Sequence, residues 1–252
     1  MNCQSFLRLP LRLKRLLCCC KKDIKKTNSS EEIISNINPS TIVSWNIQGV
    51  FCYITPLKVK NIIENIKLLN FDTVCLQEVF EDWVKEEIIK ELNDIYPHYL
   101  LGNTKKKHIF GEDSGLLILS KYKINYVDEY LIEECILPDS MCEKTVIYFT
   151  IGNLNISTTH LQANKPDISE KQIREIVNRS PFESFIITGD LNHENADKIL
   201  NVNNNNKKNT WENMILDYII PINYQNKKFK IDVINMDLTN VTDHLPICVT
   251  IN

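Results

Sequence analysis

Six apolar runs in this chain stop abruptly at polar residues that are costly to bury unpaired. VSWN ends at Asn46, VCLQE at Glu78, STTH at His160, ITGDLN at Asp190 and Asn192, LDY at Asp217, and VTDH at Asp243 and His244. Short runs rich in Val, Ile and Thr that halt at turn formers read as strands. Ligands of open sheets bind beyond strand ends, so six such endings can converge in one polar cleft. Within FIITGDLN the side-chain period of two sends Asp190 and Asn192 to one side and returns Leu191 to the core. The local alternative for that pair is a strand-to-turn cap, in which Asp and Asn bond their own backbone.

Between the runs lie segments with helical spacing. VKNIIENIKLL separates TIVSWNI from TVCLQEV, VKEEIIKELNDIY follows, and a helix from Ser169 to Asn178 precedes FIITGDLN. SGLLILS, VIYFTIG, LNISTTH, LDYII and LPICVTI read as further strands, and Gly152-Asn153 suits a tight hairpin turn between two of them. Crossovers and hairpins in one continuous pattern predict an α/β sandwich of layers around a single core over residues 41–252. At 252 residues and 43% hydrophobic content the chain can bury such a core. NVNNNNKKN at 201–209 reads as a flexible loop, and Lys105-Lys106-Lys107-His108 as a solvated one.

Net charge is −3, with 29 basic and 32 acidic residues interspersed, so there is no global attraction to nucleic acid; a local basic groove stays open. The nine cysteines include no Cys-x-x-Cys pair, which argues against a zinc site or disulfide framework and for a reducing compartment. Residues 1–40 differ in composition from the rest. Cys3 and the Cys18-Cys19-Cys20 run lie among Leu, Arg and Lys without the apolar block of a secretory signal. They read as S-acylation sites on a basic leader, or as incidental cysteines of a disordered or transit-like one. The expectation is an intracellular monomer, cytoplasmic or membrane-associated through that leader.

The ordered motifs S-W-N-I-Q at 44–48, L-Q-E-V at 76–79, S-G-L-L-I-L-S-K-Y at 114–122, T-H-L-Q-A at 159–163, G-D-L-N at 189–192, L-D-Y-I at 216–219 and T-D-H-L-P at 242–246 together resemble the endonuclease/exonuclease/phosphatase superfamily. The resemblance spans Thr41 to Ile251. It implies a four-layered α/β sandwich, two packed mixed β-sheets flanked by helices, and metal-dependent hydrolysis of a phosphoester. It further implies Glu78 as principal ligand of Mg²⁺, or of Mn²⁺ in its place, with Asn46 beside it and Asp243 assisting; such hard oxygen donors suit Mg²⁺. His244 would contact phosphate or move a proton, with Asp217 orienting its ring. Asp190 would orient or deprotonate water, Asn192 would hold the phosphate, and His160 would stabilise phosphoryl charge, both histidines being potentially cationic. The choice of general base between Asp190 and His244 stays open. Asp232 in KIDVI competes with Asp217, which fits the motif better with Trp211 upstream.

Within the superfamily the chain is most similar to neutral sphingomyelinases and related phospholipid phosphodiesterases, through T-H-L-Q-A, a following helix with Gln172, S-G-L-L-I-L-S-K-Y and the stretch from Asp139 to Lys144. Against that branch, 26 residues lie between Asp190 and Asp217, too few for the long apolar hairpin of secreted sphingomyelinases. A DNA or RNA nuclease is the second reading, and a catalytically silent adaptor of the same fold the third.

Overall fold

The computed structural model describes residues 39–50, 52–102, 112–202 and 208–252. The leader through residue 38, the Lys105–His108 run and most of the asparagine-rich loop lie outside the described residues. In chain order the elements are β1 (Thr41–Asn46), α1 (Pro56–Leu69), β2 (Thr73–Gln77), α2 (Asp82–Leu92), β3 (His98–Leu101), β4 (Leu117–Ser120), β5 (Asn125–Leu131), β6 (Thr145–Ile151), β7 (Leu154–His160), α3 (Pro166–Asn178), β8 (Phe185–Asp190), α4 (Ala196–Ile199), β9 (Asp217–Ile222), β10 (Phe229–Val233) and β11 (Ile247–Ile251).

The strands form a six-stranded sheet in the order β10-β11-β1-β2-β4-β3 and a five-stranded sheet in the order β5-β6-β7-β8-β9. Each sheet holds one parallel pair, β1 with β2 and β7 with β8, bridged by α1 and α3 respectively. Side-chain alternation then creates the layers. In β2, Val74 and Leu76 face α1 and α2, while Cys75 faces the other sheet. In β6, Ile147 and Phe149 join that inter-sheet core, while Val146 and Tyr148 pack outward with the residues of α3. The result is helix, sheet, sheet, helix, the four-layered sandwich that the motifs imply.

Local signals explain the helix ends. Thr55 caps α1 by accepting the Lys58 N–H at 3.2 Å, Pro56 opens the first turn, and Asn70 closes the helix at φ 50° with its N–H on the Ile66 carbonyl. The β6–β7 hairpin turns on Gly152 at φ 58°, with Ile151 opposite Leu154. Three strands escape the sequence pattern: β3, β5 and β10 each lie at a sheet edge. β5, for example, exposes Asn125 through Asp128, so it lacks the apolar alternation of a central strand, and edge strands commonly carry charge. α3 also starts at Pro166, ahead of the expected Ser169.

Gly189 shows how closely the central strands approach. Its φ is 139°, and a Cβ there would lie 2.0 Å from the carbonyl oxygen of Thr159, its register partner on β7. We predict that Gly189→Ala destabilises the protein by about 2–5 kcal/mol in chemical denaturation, combining backbone strain with overpacking. An unchanged midpoint would show that the two strands can separate without penalty.

Candidate active site

Strand register brings half of the site together. Asp190 is the Cα partner of His160 across β7–β8 and of Asp217 across β8–β9, so three adjacent strands of the five-stranded sheet present these residues at one level. In the other sheet Asn46 pairs with Gln77, which puts Glu78 one residue past the end of β2. Glu78 has φ 60°, a conformation that non-glycine residues adopt at a cost. Two glycines permit it: a Cβ on Gly49 would lie 2.0 Å from the Glu78 carbonyl oxygen, and one on Gly115 would lie 3.2 Å from the Glu78 Cα. Val79 N–H donates to the Gly115 carbonyl at 2.8 Å and completes the clamp.

The two halves meet through Asn46. Its Nδ2 donates at 3.0 Å to Glu78 Oε1 and at 3.0 Å to Asp190 Oδ2, joining carboxylates from different sheets. His160 Nε2 faces the same pair, 3.7 Å from Glu78 Oε1 and 3.8 Å from Asp190 Oδ2. His244 Nδ1 sits 2.8 Å from Asp217 Oδ2, and its Nε2 points toward Asp190 Oδ2 at 4.0 Å. The loop carrying His244 is fixed by Trp45 Nε1, which donates to the His244 carbonyl at 2.9 Å, and by Thr242 Oγ1, which donates to the Asn46 carbonyl at 2.9 Å. Thr210 binds the Asp217 segment to that loop: Oγ1 accepts the Leu216 and Asp217 N–H groups, and its carbonyl accepts the Leu245 N–H.

Electrostatics separates the two histidines. Burial lowers His244, but the charge and hydrogen bond of Asp217, aided by Asp190 and Asp243, outweigh it and raise the imidazole to about 10. Burial lowers His160 well below the ordinary histidine range, and the positive charges of Lys144 and His244 push the same way. The environment thus favours the charged form of His244 and the neutral form of His160. Burial and the charge of Asp217 raise Asp190 to about 7. Burial also raises Glu78, with Asn46, Lys144 and His244 opposing and Asp243 reinforcing the rise.

Crowded carboxylates that resist ionisation fit a divalent cation, which would reverse that resistance. Asp190, Asp217 and His244 offer ligand atoms within 4.8 Å of one another. Asp217 and His244 are, however, committed to each other, and a protonated imidazole has no lone pair to give. The oxygens suited to a cation are therefore those of Glu78 and Asp190, with Asp243 at the mouth, its side chain 41% exposed.

The other expected residues have definite places. Asn46 turns its amide nitrogen to the carboxylates, and its Oδ1 accepts the Gln48 N–H at 2.9 Å, so it offers a donor where an oxygen ligand was expected. Asn192 lies past the end of β8 at φ 49°, so strand alternation does not reach it; its N–H caps Asp190 Oδ1 at 3.0 Å and its Nδ2 donates to the Leu161 carbonyl at 3.1 Å. Asp190 Oδ1 thus takes the local cap, while its Oδ2 accepts from Asn46. Asp232 pairs with Lys208 and with its neighbour's N–H, whereas Asp217 holds the ring. Sequence reasoning did not assign Gln48 or Lys58, although Gln48 stands inside the first motif.

The model of the Endonuclease/Exonuclease/phosphatase family matches residues 43–234. No curated protein matches the chain. Among solved structures, a double mutant of beta toxin from Staphylococcus aureus with bound magnesium ions superposes with a TM-score of 0.69 at 20% identity, over 84% of this chain and 99% of that one. Sphingomyelinase C from Streptomyces griseocarneus gives 0.67 at 16% identity, over 86% and 100%. TDP2 of D. rerio, humanized by 14 mutations, gives 0.62 at 19% identity, over 84% and 98%. At such identities the likeness is one of fold. The family model spans most of the chain, and the chain belongs to the Endonuclease/Exonuclease/phosphatase family.

Proposed function

We propose that this protein hydrolyses a phosphodiester with the help of Mg²⁺, Mn²⁺ serving in its place, and that the phosphate belongs to a phospholipid such as sphingomyelin. The observation that carries the hydrolase reading is the meeting of Glu78 and Asp190 on the Asn46 amide, with His244 Nε2 4.0 Å from Asp190 Oδ2. Glu78 and Asp190, with Asp243, would hold the cation, and a bound divalent ion supplies Lewis-acid polarisation of the phosphoryl oxygens. Ionised Asp190, whose Oδ2 lies 3.8 Å from His160 Nε2 and 4.0 Å from His244 Nε2, would accept a proton from the attacking water. The imidazolium of His244, held by Asp217, stabilises negative charge as it develops on the phosphoryl group. His160 contributes a neutral ring beside these groups, and Asn192 acts through its N–H, which holds Asp190 Oδ1 at 3.0 Å.

Support for a lipid comes from the rim. Tyr53 and Leu57, in the segment after β1, are 60% and 56% exposed, and Leu137 and Met141, in the segment before β6, are 72% and 52% exposed. Both segments leave their sheets at the end where the site lies, and the second is tied beside His160 by a 3.0 Å bond from Gln162 Nε2 to Asp139 Oδ2. Large exposed side chains there suit an apolar surface, and the net charge of −3 gives a polynucleotide no global attraction. The fold neighbours include sphingomyelinase C and TDP2, so nuclease activity is the second reading.

A panel of sphingomyelin, abasic DNA, single-stranded RNA and inositol phosphates with Mg²⁺ tests the assignment. Sphingomyelin cleavage is expected, abolished by EDTA and reduced about 10²- to 10³-fold by His244→Ala. Cleavage of nucleic acid alone would choose the nuclease, and no cleavage by folded protein would leave the adaptor. The pH profile has a worked sign. Asp190 acts ionised, so kcat/KM rises as pH climbs through its pKa, at or below about 7 once a cation is bound. His244 acts protonated, so activity falls toward pH 10. Asp217→Asn should bring the alkaline limb down by roughly 1–3 pH units; an unmoved limb would show that His244 does not set it. The leader is proposed as an acylated tether: Cys18→Ser, Cys19→Ser and Cys20→Ser together should release the protein from membranes, and unchanged fractionation discards the tether.

A further inference from the structure

Lys58 sits where a lysine is hardest to justify on stability alone. It is 7% exposed and lies in the first turn of α1, which contains no acidic residue, so its charge opposes the helix dipole. Among the described residues its Nζ hydrogen-bonds to Gln48, donating at 2.7 Å to Oε1 and at 3.2 Å to the carbonyl. Gln48 is held at φ 48° and passes the constraint onward in two directions. Its N–H donates to Asn46 Oδ1 at 2.9 Å, and its Nε2 donates to Asp243 Oδ2 at 2.7 Å. Trp211 Nε1 donates to the same Asp243 oxygen at 3.2 Å. The carboxylates whose charge reaches Lys58 are Asp243 and Glu78.

We infer that Lys58 is a positioning residue for the cation site: by binding both oxygens of Gln48 it fixes the side-chain amide that orients Asp243 and the N–H that turns Asn46 toward Glu78 and Asp190. The chain of contacts accounts for the burial of the lysine, the strained backbone of Gln48 and the orientation of the Asn46 amide together. Without the ammonium, Gln48 Oε1 loses its donor, its amide can rotate, and Asp243 Oδ2 is left with Trp211 Nε1 while its Oδ1 faces His244 Nε2 at 3.9 Å. Groups that orient metal ligands typically change affinity or activity 10- to 100-fold when removed. The inference rests on the phosphoesterase reading for the presence of a cation at Glu78.

Charge alone predicts the opposite outcome. Deleting a nearby positive charge should tighten binding of a divalent cation, whereas loss of positioning should weaken it. The test is direct Mn²⁺ binding to the full chain by electron paramagnetic resonance or calorimetry, alongside the Mg²⁺ dependence of turnover. Lys58→Met is expected to weaken Mn²⁺ about 10- to 100-fold and to raise the Mg²⁺ concentration for half-maximal activity, with Lys58→Arg recovering part of the loss. Gln48→Asn changes no charge, tolerates the left-handed backbone and is too short to reach Asp243; it should weaken binding likewise and carries the test if Lys58→Met does not fold. Lys60→Met, on an exposed neighbour paired with Glu64, should leave binding unchanged. Tighter or unaltered Mn²⁺ binding in Gln48→Asn and Lys58→Met would overturn the inference while leaving the hydrolase intact. Failure of the unmodified protein to bind Mn²⁺ at all would overturn both.

Discussion

The site depends on one amide placed between two sheets. Asn46 ends a strand of the six-stranded sheet, and its Nδ2 spans Glu78, from the same sheet, and Asp190, from the other. Hydrogen bonds to ionised acceptors are the stronger kind, and here they hold together two carboxylates that would otherwise repel. The apolar layer between the sheets, with Ile42, Cys75, Ile147, Phe149 and Ile186, sets the spacing that makes this bridge possible. Interiors packed at crystal-like density allow little drift, so a shift of the sheets would be felt first at Asn46.

Around that bridge the protein gives two similar side chains opposite characters. His160 and His244 are both buried, and burial alone disfavours charge on either. His244 has Asp217 2.8 Å from Nδ1, whereas the carboxylates nearest His160 stand at 3.7 Å and 3.8 Å, with Lys144 and His244 adding positive charge. A difference of about one ångström in carboxylate approach, plus the neighbouring cations, decides which ring carries a proton. The two rings thus meet the same Asp190 oxygen with opposite electrostatic preferences.

Much of the fold was legible because the central strands are buried on both faces. TVCLQ, TVIYFTI and FIITGD are short runs rich in apolar and β-branched residues, buried at every position but Thr150. The edge strands β3, β5 and β10 were not legible, because a strand covered on one side needs few apolar residues and tolerates charge. At the site, the structure puts Asp217 2.8 Å from the His244 ring, whereas Asp232 pairs with Lys208 instead. The identity of the polar strand endings was readable. The orientation of Asn46, the left-handed turn at Asn192 and the neutrality of His160 were not, since each follows from atoms brought close by other segments.

The sequence by itself determined which residues end the strands and hence which polar groups can reach the cleft. Alternation and strand breaks are local properties, written in neighbouring residues. Only the tertiary structure decided how those groups divide the work. The protonation of His244 is set by Asp217, 27 positions away, and the hold on Asp243 comes from Gln48, 195 positions away. Charge and hydrogen bonding act over ångströms in space, and separation along the chain carries no information about that distance.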